Sequence, residues 1–160
     1  MTAFEFVFPL FGLLVGLSYA EMLAGLARSL KNKREVPVRV VSNARIRVPD
    51  HPLIERVLVS DKFDAADDWI AEQADARTVV ITGDILLADR CLKAGAAVIG
   101  PNGRPFTPAS IGAAVATRAI MADLRAGMDG PGGGPAPFAR ADRSRFLSAR
   151  DEALVKLKRG

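Results

Sequence analysis

The chain has 160 residues, of which 49% are hydrophobic and 25% charged, so it can form a hydrophobic core and is neither disordered nor collagen-like. A single cysteine, Cys91, excludes an internal disulfide and a cysteine-rich zinc site, and a single histidine, His51, excludes the usual histidine-based metal and triad chemistry. The formal net charge is +4, with basic residues concentrated in 138–160 and acidic residues in 61–84. This distribution suits either a metal-dependent enzyme that acts on a polyanion or two solvated helices of opposite charge.

Residues 6–27 are an apolar stretch in which Glu21 is the only charged residue. A helix of this length, about 33 Å, would cross the hydrocarbon core of a membrane. The basic residues of 31–34 would keep the rest of the chain in the cytoplasm. We therefore predict an apolar N-terminal helix within residues 1–34 that either contacts the inner membrane or docks on a sheet as an amphipathic helix.

Short β-branched segments alternate with helical segments after residue 35, which indicates an α/β fold with a parallel sheet flanked by helices. Thr107 is the predicted N-cap of the third helix, and the glycine- and proline-rich residues 130–137 are a predicted linker. The predicted strands are 36–41, 56–60, 78–82 and 96–100, and the predicted helices are 65–74, 85–94, 108–126 and 142–158.

Four aspartates lie where the predicted strands lead into helices. Asp64, Asp67 and Asp68 share one side of the first predicted helix, and their mutual repulsion would be offset by the helix dipole or by a cation. Asp84 follows the strand 78–82, at the edge where open α/β sheets bind ligands. The alternative is structural: Asp64 and Asp84 cap their helices, and Asp67 assists at the third helical position.

Carboxylates without histidine or cysteine favour a hard cation, Mg²⁺ or Mn²⁺. Such an ion binds a phosphodiester and activates water for in-line attack. We therefore predict a metal site formed by Asp64, Asp67, Asp68 and Asp84, with Asp67 and Asp84 as the catalytic residues.

Three arginines are predicted contacts for RNA or another nucleic acid. Arg104 lies in the turn 100–107, and Arg143 and Arg145 belong to the basic run 140–146. An ordinary turn and a solvated basic helix are the alternative interpretations.

Four stretches of the chain are distinctive when taken together: FDAADDWIAE at 63–72, VVITGDILLADRCL at 79–92, GPNGRPFT at 100–107 and RADRSRFL at 140–147. They resemble the YaiI/YqxD family of uncharacterised bacterial proteins, which have a PIN-like fold. The resemblance implies a PIN-like domain over residues 35–160. PIN-like domains include metal-dependent ribonucleases, whose acidic positions would correspond here to Asp67 or Asp68 and to Asp84.

The chain departs from the family at its N-terminus. Family members open with a strand that ends in D-x-D-A-C-P, and an unrelated, membrane-protein-like segment stands in its place here. Losing that strand would expose two edges in the middle of the sheet, unless residues 4–8 substitute as a strand or residues 19–30 replace the missing first helix. Leu86 also stands where the family resemblance leads us to expect a proline.

These observations leave three hypotheses. The first is a Mg²⁺- or Mn²⁺-dependent nuclease-type domain, impaired by loss of the first acidic strand. The second is a non-catalytic nucleic-acid-binding module, and the third is an inactive membrane-tethered fusion.

Overall fold

The computed structural model describes residues 4–7, 36–126 and 139–159. Its strands are β1 (Phe4–Val7), β2 (Val38–Ser42), β3 (Ile54–Leu58), β4 (Thr78–Ile81), β5 (Ala97–Ile99) and β6 (Pro105–Phe106). Its helices are α1 (Ala65–Gln73), α2 (Ile85–Lys93), α3 (Pro108–Ala126) and α4 (Arg140–Arg159).

The six strands form one sheet in the order β3-β2-β1-β4-β5-β6. Strands β1 to β5 are mutually parallel, and β6 runs antiparallel to β5. The four residues of β4 are all buried, which is typical of a parallel strand covered on both faces. The predicted α/β class with a parallel sheet is therefore confirmed, while the antiparallel edge strand β6 was not predicted.

The first strand, β1, lies at the centre of this sheet. Glu5 pairs with Val38 of β2 on one side and with Val79 of β4 on the other. Phe4–Val7 thus takes the substitute position considered for residues 4–8, and the two strand edges in the middle of the sheet are paired.

The rest of the predicted N-terminal segment lies outside the described residues. Phe6 and Val7 lie in β1, so a helix that begins at residue 6 is wrong there. Residues 8–27 of the apolar stretch and the domain boundary at 34/35 lie outside the described residues and stay predictions. None of the helices among the described residues combines the length and the apolar character needed to cross a membrane.

Two hydrophobic clusters cover the two faces of the sheet. On one face, Phe146 and Leu154 of α4 pack against Val79 and Ile81 of β4. On the other face, the intervening Val80 packs with residues of α1, α2 and α3, among them Ile70, Leu87 and Ile111. The alternation of side chains along β4 therefore fixes which helices lie on which face.

The helix predictions agree closely with the structure. α3 has the predicted bounds, and the Oγ1 atom of its N-cap Thr107 accepts the N–H of Ser110 at 3.1 Å. β3 begins two residues before the predicted 56–60 because Ile54 already pairs with Val38 of β2, whose N–H donates to the carbonyl of Leu53 at 2.7 Å. The predicted linker 130–137 lies outside the described residues.

Candidate functional site

A cavity of about 780 Å³ opens where β2 and β4 end and where α1 and α2 begin. Its position at the carboxyl ends of parallel strands is where open α/β sheets bind ligands. Carboxylates, two guanidinium groups and a few apolar side chains line it: Asn43, Asp61, Lys62, Phe63, Asp64, Ala65, Ala66, Asp67, Asp84, Leu86, Leu87, Arg90 and Arg118.

Asp84 is held in the cavity by the start of α2. Its Oδ1 atom accepts the backbone N–H groups of Leu86 at 2.8 Å and Leu87 at 3.0 Å, which confirms the predicted N-cap. Leu86, which stands where a proline was expected, can donate this bond because it has an N–H. The other oxygen, Oδ2, lies 3.7 Å from Nη1 of Arg118. Oδ1 of Asp84 therefore caps α2, and Oδ2 faces the guanidinium of Arg118.

Asp67 lies in the first turn of α1 and has an unusual electrostatic environment. Its Oδ1 atom is buried and has no hydrogen-bond partner among the described residues. Burial, followed by the charges of Asp84 and Asp64, raises the pKa of its carboxyl from 3.8 to about 6, although Arg90 acts in the opposite direction. A bound cation would relieve both the repulsion and the lack of a partner.

Asp64 precedes α1 in a left-handed conformation, with φ of 59°. Aspartate is one of the residues that tolerate this conformation. Asp64 occupies the predicted N-cap position of α1, but its side chain makes no capping hydrogen bond. Instead, its backbone carbonyl accepts the N–H of Asp68 at 2.8 Å, and the residue lines the cavity.

The fourth predicted ligand, Asp68, does not line the cavity. It forms an ion pair with Arg90, with 2.9 Å between Oδ1 and Nη1. Among the side chains that the structure describes, no group of three or more carboxylates, histidines or cysteines is arranged to hold a metal ion. The structure therefore brings Asp64, Asp67 and Asp84 to one cavity without forming a complete three-ligand site.

Two arginines of the cavity, Arg90 and Arg118, were not singled out from the sequence. Arg118 had a signal, because it follows the apolar Ile111 and Val115 of α3 at helical spacing. This spacing predicts that Arg118 lies near the packed face of α3, but its partner, Asp84, follows only from the tertiary structure. Phe63, an exposed aromatic residue at the cavity, was not singled out either.

The predicted nucleic-acid contacts lie elsewhere, because neither Arg104 nor Arg143 nor Arg145 lines the cavity. Arg145 pairs with Asp142 at 3.0 Å and donates to the carbonyl of Asn102 at 3.3 Å. It thereby joins α4 to the turn that carries Arg104. Whether these arginines contact a nucleic acid stays a prediction.

Comparison with known proteins gives a consistent result. The model of the uncharacterised YaiI/YqxD family matches residues 24–156. A UPF0178 protein of Sphingopyxis alaskensis is 73% identical over 123 residues, which cover 77% of this chain and 80% of the relative. UPF0178 proteins of Jannaschia sp. and Nitrobacter winogradskyi are 58% and 56% identical, over 79% and 78% of this chain and 81% and 78% of their own lengths. No solved structure matches the chain.

Proposed function

The chain belongs to the YaiI/YqxD family of uncharacterised bacterial proteins, and we propose that it is a PIN-like domain that binds Mg²⁺ or Mn²⁺ and hydrolyses phosphodiester bonds in RNA or another nucleic acid. The observation that carries this proposal is the buried Oδ1 of Asp67, which has no hydrogen-bond partner in the described part of the chain and lies in a cavity that Asp64 and Asp84 share.

The carboxylates fit a hard divalent cation. Mg²⁺ prefers oxygen ligands and is commonly held by one or two carboxylates, with water and substrate phosphate completing its shell. Asp67 and Asp84 would hold the ion, and Asp64 would add negative charge beside it. A two-carboxylate site agrees with the lack of a three-ligand group among the described residues. When bound, the ion would polarise the phosphate ester and lower the pKa of a water molecule.

The remaining cavity residues suit a phosphate ester. Arg90 and Arg118 place guanidinium groups on the cavity wall, where they would orient and neutralise a phosphate. Asp67 would act as a ligand of the ion, because a carboxylate that binds a divalent cation is a poor base for water. Slow hydrolysis is expected, because Phe4–Val7 carries no D-x-D pair like the one with which the resembled family opens.

A cleavage assay tests this function. Full-length protein with Mn²⁺ should slowly cleave a fluorescein-labelled single-stranded RNA, and excess EDTA should abolish the cleavage. Asp84→Asn should lower the rate by roughly 100-fold, since a ligand carboxylate is lost. Asp89→Asn is the matched control, because Asp89 lies on the same helix and pairs with Lys93 outside the cavity.

Equal cleavage by wild type and Asp84→Asn would contradict the proposal and indicate a contaminating nuclease. Binding without cleavage would favour the second hypothesis, a nucleic-acid-binding module. In that case binding should weaken with salt, survive Asp84→Asn, and fail when Arg143 and Arg145 are changed to glutamine.

A further inference from the structure

The geometry points to Arg118 as an internal counter-cation of the site: its guanidinium pairs with Asp84, and a divalent cation that binds Asp84 displaces it. This inference rests on the proposed function, since it presupposes a cation site at Asp84.

The hydrogen bonds of Asp84 leave one oxygen for a cation. Oδ1 accepts two backbone N–H groups, at 2.8 and 3.0 Å, and a carboxylate oxygen has two lone pairs. A metal ion would therefore have to bind Oδ2. This is the atom that Nη1 of Arg118 approaches to 3.7 Å. The metal ion and the guanidinium would thus bring two positive charges to the same oxygen, and they compete for it electrostatically.

The ion pair is weak enough to be opened. A separation of 3.7 Å exceeds ordinary hydrogen-bond length, and the two side chains are 47% and 29% exposed. By contrast, Arg90 lies within 2.9 Å of its partner Asp68. Of the two arginines in the cavity, Arg118 is therefore the one that a cation can displace more easily.

The helix that carries Arg118 is fixed, so the side chain can move alone. Ile111, on the same face of α3, is buried in the cluster that contains Leu87 of α2, and Val115 packs against that cluster. A displaced Arg118 would stay at the cavity wall, where its positive charge faces any phosphate bound there. Displacement therefore breaks the Arg118–Asp84 ion pair, which opposes cation binding, and frees the guanidinium to contact an anionic substrate.

Calorimetric titration of the full-length protein with Mn²⁺ tests the inference. Arg118→Gln should lower the Kd for Mn²⁺ by roughly tenfold, because both the competing ion pair and the repulsion of the incoming cation are removed. Arg118→Lys keeps the charge and should stay near the wild-type Kd. Arg47→Gln removes the same charge from a residue that does not line this cavity, and should change the Kd by less than roughly twofold.

Two further variants make the result specific. Arg118→Ala removes the charge with a different side chain and should reproduce the tighter binding. In an Asp84→Asn background, Arg118→Gln should not restore Mn²⁺ binding, because the oxygen for which the two cations compete has lost its charge.

The outcomes separate this inference from the proposed function. If wild type binds Mn²⁺ and both Arg118→Gln and Arg118→Ala bind it with the same Kd, Arg118 is not a competitor, while the metal site remains. If only the charge-removing variants bind Mn²⁺, Arg118 blocks the site. If wild type and all Arg118 variants fail to bind, both proposals are overturned.

Discussion

Asp67 and Asp84 line the same cavity, where burial and then the charge of Asp84 raise the pKa of the Asp67 carboxyl. The two carboxylates come from different elements, Asp67 from the first turn of α1 and Asp84 from the N-cap of α2. Their like charges oppose folding, since neither neutralises the other. Fixed repulsion of this kind is typical of sites that bind a cation or transfer a proton.

Asp67→Asn should stabilise the protein at neutral pH. Between pH 3.8 and about 6 the native state holds a proton that the unfolded state releases, so stability falls as pH rises through this range and stays low above it. Asparagine cannot ionise, so above pH 6 the free energy of unfolding should rise by about 1 kcal/mol. The full pKa shift would give a larger value, but solvent screens the charge of this partly exposed group.

Urea unfolding at pH 4 and pH 7.5 checks this prediction. The difference between Asp67→Asn and wild type should be present at pH 7.5 and small at pH 4. Asp89→Asn serves as control and should not be stabilised, because it loses the ion pair with Lys93. Equal or lower stability of Asp67→Asn at pH 7.5 would show that the Asp67 carboxylate is not repelled in the folded state.

Mn²⁺ binding should weaken in mild acid. A proton on Asp67 competes with the metal, and at pH 5 a carboxyl with a pKa of about 6 is mostly protonated. The Kd for Mn²⁺ should therefore rise about tenfold between pH 7.5 and pH 5. Calorimetry at the two pH values measures it. A change below about twofold would indicate a carboxyl with an ordinary pKa.

Gly103→Ala should be strongly destabilising. Gly103 has φ of 78°, and an added Cβ would overlap backbone atoms of Arg145 and Phe146 in α4. The expected loss is about 3 kcal/mol, because neither backbone can move without disturbing the buried Phe146. Thermal melting measures this loss. Gly112→Ala is the control: nothing lies within 4 Å of its added Cβ, and alanine in helix α3 should stabilise by about 1 kcal/mol.

Asp84→Ala and Asp84→Asn should differ in stability, although both should lose Mn²⁺ binding. Alanine cannot accept the N–H groups of Leu86 and Leu87, so its variant should lose about 1 kcal/mol, whereas asparagine caps a helix nearly as well as aspartate. Denaturant unfolding gives both values. If the two variants lose the same stability, the charge of Asp84 and not its capping bond stabilises α2.

The sequence predicts the helices and the buried strands well because their signals are local. The predicted and observed bounds of α3 are the same, and Thr107 and Pro108 mark its start directly. β6 could not be predicted, because two residues, Pro105 and Phe106, carry no periodicity. Its pairing depends on the turn that brings it back to β5.

The candidate site could be predicted only in part, because some of its residues have local signals and others are brought together by tertiary packing. Asp67 and Asp84 follow recognisable helix and strand signals, and both line the cavity. The partner of Asp68 depends on how α1 packs on α2, which places Arg90 beside it. Likewise, the approach of Arg118 to Asp84 depends on the tertiary position of α3. Spacing along the chain does not contain these contacts.

Mn²⁺ titration of full-length wild type beside Asp84→Asn and Asp89→Asn tests the central claim most directly. The account predicts saturable binding by wild type and Asp89→Asn, and loss of that binding in Asp84→Asn, whose helix cap is preserved. It is contradicted if wild type does not bind Mn²⁺, or if Asp84→Asn binds it as tightly as wild type does.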